Sequence, residues 1–83
     1  MTNREKEWEV FSQKVLEHIK KYTVAQYGDS PNDLASNYTK EKCAEEILKY
    51  ITRHFRGMRG KKDTERDLFK ICHYACMLFW KER

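Results

Sequence analysis

An all-α fold of three helices follows from three features of this 83-residue chain. Apolar residues recur at steps of three and four along three separate segments, the spacing of one face of a helix. Glycine occurs three times and proline once, too rarely for the many turns of an all-β fold. Apolar residues make up 40% and aromatics 13%, which excludes a disordered tail despite 36% charged residues. Residues 1–83 make one domain. A domain of this length buries only about 60–65% of its unfolded surface, so an up-down arrangement of three helices completed by dimerisation is expected.

The first helix is expected over about 4–26. Thr2 and Glu5 have the spacing of a capping box, and Trp8, Phe11, Val15, Ile19 and Tyr22 form one stripe widened by Leu16. "YGDSPNDLASN" then breaks it, because Gly28 accepts a left-handed cap and Pro31 cannot continue a helix. The second helix, about 38–56, starts near Asn37 or Thr39. Its expected core stripe is Ala44, Ile47, Leu48, Ile51, Phe55 and Met58, and Gly57 and Gly60 end it.

The third helix, about 64–82, is expected to be capped by Asp63 or Thr64, with Glu65 and Asp67 in its first turn. It carries two apolar stripes roughly 100° apart. Leu68, Cys72, Ala75 and Phe79 form one, and Phe69, His73, Cys76 and Trp80 the other. A helix apolar over so much of its circumference is central or shared between chains. The second stripe is therefore the expected homodimer interface.

Seventeen basic and 13 acidic residues leave a formal charge of +4, so the placement of charge says more than its sum. No apolar run reaches the roughly 20 residues of a membrane span, and "MTNREKEWEV" has no signal-peptide core. Cys43, Cys72 and Cys76 form no CxxC pair and read as reduced thiols. A cytoplasmic location with no membrane partner is the expectation.

The chemistry-bearing residues gather on the second and third helices. Lys49, Arg53 and Arg56 lie at i, i+4, i+7 on one face, where guanidinium forks hold phosphate. Arg59, Lys61 and Lys62 follow in the turn. Tyr50 and Tyr74 are the aromatics expected to face a cleft, whereas Phe55 is expected in the core. Glu46 and Asp67 are the carboxylates a magnesium ion would use alongside phosphate oxygens. An antiparallel pairing of the two helices, however, sets Glu46 against a later part of the third helix than Asp67.

"QYGDS", "KYITRHFRG" and "DLFKICHYACML" together resemble small all-α proteins of phages and mobile elements associated with nucleotide metabolism, with a MazG-like helical arrangement. The resemblance runs over residues 20–80. Tyr27, Gly28 and Asp29 match its turn, Lys49 and Arg53 its basic pair, and Asp67 and Tyr74 its last segment. The chain lacks the ExxE and ExxD pairs of MazG-type pyrophosphohydrolases and keeps only Glu46 and Asp67 of that set. The resemblance implies a nucleotide-handling protein that binds a nucleoside phosphate, with magnesium-dependent hydrolysis of a phosphoanhydride as its catalytic form. The alternative is a non-enzymatic dimeric module that presents the basic 49–62 segment to nucleic acid or a protein partner.

Overall fold

The computed structural model describes residues 1–24, 38–57 and 60–82, and these form an all-α arrangement of three helices. Helix α1 spans Asn3–His18, α2 spans Lys40–Arg56, and α3 spans Lys61–Lys81. The capping box at Thr2 forms as expected. The Glu5 amide donates to Thr2 Oγ1 at 3.1 Å, and the Thr2 amide donates to Glu5 Oε1 at 3.2 Å. Beyond His18 the helix loosens into a π-helical segment, Ile19–Val24, so helical structure extends through most of the expected first element. Residues 25 and 26, the Gly28–Pro31 break and the Tyr27–Gly28–Asp29 match lie outside the described residues, as do Met58 and Arg59.

Thr39 caps α2 by accepting the Lys42 amide at 3.0 Å. Gly57 ends it in a left-handed conformation, φ 65°, which a side chain would strain. The start of α3 differs from expectation. Its N-cap is Gly60, so Asp63 and Thr64 lie inside the helix rather than capping it. Lys61 and Lys62 are adequate helix formers, and exposed first-turn amides can bond water. Asp63 still supplies the negative charge that the helix start favours.

Helices α2 and α3 pack antiparallel over the most extensive interface among the described residues. Their far ends are joined by Lys40 Nζ and Glu82 Oε1 at 3.2 Å. Helix α1 lies on another side of α3, where the Phe69 ring meets Phe11 at 6.0 Å and His18 at 5.7 Å. Arg66 sits 5.8 Å over the Tyr22 ring at the π-helical segment. Helix α3 therefore lies between α1 and α2, one of the two placements that its breadth of apolar surface left open.

The expected core of α2 is the main correction. Ala44, Leu48, Ile51 and Phe55 are exposed, Phe55 at 92%, and only Ile47 of the described stripe is half-buried. What α2 buries against α3 is Cys43, Glu46 and Tyr50. The facing side of α3 is polar and aromatic too, with Asp67, Lys70 and Tyr74. Among the described residues the buried set also includes His18, so three of its five members are charged or polar groups: His18, Glu46 and Asp67. The radius of gyration of 13.6 Å exceeds the ~12 Å of a compact chain this long.

His18 and His73 give the fold an acid sensitivity. Burial, then the charges of Lys70, His73 and Arg66, holds His18 below its ordinary value of 6.5, and burial does the same to His73. Both are therefore neutral in the fold, and the unfolded chain takes up their protons first as pH falls through 6.5. Their contribution to stability is whole above that pH and is lost below it. Thermal melts by circular dichroism should show Tm falling between about pH 7.5 and 5.5. His18→Phe, which keeps a ring between Tyr22 and Phe69, should flatten that slope; an unchanged slope would remove His18 from the account.

Candidate anion-binding site

The seam between α2 and α3 is built around Glu46, whose carboxylate is 9% exposed. Lys42 and Lys49 lie one turn to either side on the same helix. Their ammonium groups reach it at 3.2 and 2.8 Å, one on each oxygen. Burial alone would raise the Glu46 carboxyl, but the hydrogen bonds from Lys49 and Lys42 outweigh it and hold the group below the usual range. Lys49 is raised in turn, chiefly by its hydrogen bond to Glu46.

One turn further, Tyr50 lies under three cations. Lys49 Nζ stands 4.8 Å from its ring centre, Lys70 Nζ 5.1 Å and Arg53 Cζ 5.2 Å. The face of an electron-rich ring tolerates one such cation well, but three around one ring repel each other. Tyr74 of α3 stacks with Tyr50 at 6.2 Å and with Tyr38, just before α2, at 5.8 Å with planes 2° apart. Burial and then the hydrogen bond with Tyr38 push the Tyr74 phenol well above its ordinary range, so it stays protonated.

Lys49, Arg53 and Arg56 line one groove of about 440 Å³, together with Glu45, Leu48 and Thr52. The expected basic trio thus shares a surface. Tyr50 and Tyr74 belong to the seam behind it, Tyr50 being buried and Tyr74 half-buried. Phe55, expected in the core, is the most exposed of the large apolar side chains among the described residues.

The two carboxylates are separated. The Lys40–Glu82 and Tyr50–Tyr74 contacts fix the antiparallel register, which sets Glu46 level with Cys76. Asp67 lies nine residues earlier on α3, about 13 Å along the axis at 1.5 Å per residue. Glu46 and Asp67 do not share one ion, and among the described residues no cluster of three or more His, Cys, Asp or Glu side chains forms a metal cage. The same register brings Asp67 to the level of Phe55, at one end of the helix pair.

The stripe expected to meet another subunit is divided. Phe69 is occupied by Phe11 and His18 of the same chain and His73 is half-buried, while Cys76 and Trp80 remain exposed. Burial raises the thiols of Cys43 and Cys72, which disfavours the reactive thiolate.

Lys70, Tyr38 and Lys42 are the members that the sequence reading passed over. Lys70 lies one turn from both Asp67 and Tyr74, and helical spacing alone puts all three on one face of α3. Tyr38 has no comparable signal, because only the pairing of α2 with α3 brings it onto Tyr74. No helix of the described residues is long and apolar enough to cross a membrane. Comparison with protein-family models, with curated proteins and with solved structures finds no match to the chain.

Removing the negative charge while keeping the shape of residue 46 isolates the clamp. Glu46→Gln should cost about 1 kcal/mol, modest because both lysines are half exposed to solvent. In a domain this small that corresponds to a fall in Tm of roughly 4–8 °C. A melt as stable as the parent would show the clamp to be idle.

Proposed function

We propose that this chain binds a phosphorylated ligand, most simply a nucleoside phosphate, along the cationic groove of α2. The observation that carries the reading is the convergence of Lys49, Arg53 and Lys70 within 5.2 Å of the Tyr50 ring centre. Glu46 offsets part of that charge, but it is shared between Lys49 and Lys42. Arg53 and Arg56, exposed in the groove, carry donors in the fork geometry that suits phosphate oxygens. An arriving anion relieves the mutual repulsion of these cations, so binding gains from both attraction and relief.

In this reading the phosphates lie over Lys49, Arg53 and Arg56, which rise along the helix by about 6 and 4.5 Å between successive members. Tyr50 is the buried platform beneath the cations rather than the surface a base stacks on. The half-buried Tyr38, at the end of the tyrosine stack, is better placed for the base. The separation of Glu46 and Asp67 favours binding over magnesium-dependent hydrolysis. Any magnesium would arrive on the phosphates with most of its waters retained.

A thermal-shift series with nucleoside mono- and triphosphates, with and without magnesium, tests this directly. A ligand at 100 times its Kd adds about 2.7 kcal/mol, enough to raise Tm by many degrees in a chain of this size. Arg53→Ala should weaken the ligand at least roughly 10-fold, and Glu46→Gln, which frees Lys49, should tighten it. Long DNA at moderate salt should compete poorly. No shift at millimolar nucleotide would end the reading, and strong salt-dependent competition by DNA would replace it with a nucleic-acid interface.

A further inference from the structure

The uncovered face of α2 has a pattern that fits one partner. Ala44, Leu48, Ile51 and Phe55 are spaced four, three and four residues apart, which is the alternation of a coiled-coil seam. All four are exposed, with Leu48 at 64%, Ile51 at 42% and Phe55 at 92%. Together they present apolar surface on the order of 400 Å² per copy, about half of what each partner buries in a standard-sized interface. The polar flanks of a 17-residue helix can supply the rest.

We infer that a second copy of this chain docks on this face, α2 against α2, antiparallel about a two-fold axis midway between Leu48 and Ile51. Two properties select this occupant and this direction. The first is size: the axis sets Ala44 opposite Phe55 of the partner subunit, and Leu48 opposite the partner's Ile51. Each layer then pairs small with large or medium with medium, as a close-packed seam requires. A parallel pairing would stack Phe55 on its own copy at one end and leave a void at Ala44.

The second property is charge. Glu41 continues the line of the seam and Glu45 flanks it near the start of α2, and Arg56 lies on the same side, further round the helix, near its end. Antiparallel packing brings the acidic start of each helix to the basic end of the other and opposes the helix dipoles; parallel packing sets like against like. The arrangement also bears on the groove. Its lining residues among those described all belong to α2, and Leu48 is one of them. The second copy supplies the wall that α2 alone lacks. This inference stands apart from the identity of any ligand.

Sedimentation equilibrium of the full chain at tens of micromolar should give twice the chain mass. Phe55→Ala should raise the dimer Kd at least about 100-fold, because two phenylalanines leave the seam. Ala44→Phe alone should also weaken association by crowding that layer. The double variant A44F/F55A should restore it to within about 10-fold of the parent. A monomeric parent overturns the inference, as does a dimer indifferent to Phe55→Ala but lost on Trp80→Ala. A double variant no tighter than Phe55→Ala does so as well. Where Phe55→Ala loses helical signal on dilution, the parent's Tm must rise with protein concentration, and a concentration-independent Tm overturns the inference too.

Discussion

The clamp of Lys42 and Lys49 on the nearly buried Glu46 decides which way α2 faces. A carboxylate taken from water without partners would be protonated or would turn the helix outward. Here two ammonium groups from the same helix satisfy it, so the polar face of α2 can lie against α3. Once that face is inward, the apolar face bearing Leu48, Ile51 and Phe55 has only the outside to occupy. The exposed apolar ridge and the buried polar seam are two consequences of one helix rotation.

This arrangement stores little hydrophobic stabilisation within a single chain. The described buried residues are Cys43, Tyr50, His18, Glu46 and Asp67, a set whose burial yields far less than five aliphatic side chains would. What orders the seam is directional: the ion pairs at Glu46, the tyrosine stack and the cations around Tyr50. Such contacts specify register better than they supply free energy. A chain held together this way gains most from whatever covers its apolar ridge, which links its stability to association.

The same seam concentrates cations beside a groove. Lys49 belongs to both structures, holding Glu46 on one side and lining the groove on the other. Residues that set the helix rotation are thus neighbours of those that would meet an anion. The buried Tyr50 and half-buried Tyr74 behind Arg53 and Lys70 give the cations a low-dielectric backing, where their charge is felt more strongly than on an open helix surface.

Local chemistry alone determined the helices of this protein. Thr2 with Glu5, Thr39 and Gly57 act at their termini through bonds spanning three residues, which is why sequence spacing reveals them. The grouping of Lys49, Arg53 and Arg56 is equally local, since 3.6 residues per turn places them together whatever α2 packs on. Tertiary structure alone decided which face of α2 is the inside. Periodicity marks an apolar stripe but does not say whether its partner lies in the same chain, and here the facing helix offered Asp67, Lys70 and Tyr74 instead of an apolar surface. The convergence of Lys70 and Tyr38 on the site, and the separation of Glu46 from Asp67, depend on the antiparallel register of α2 and α3. That register is set by contacts between residues far apart in the chain, and no short stretch of it contains them.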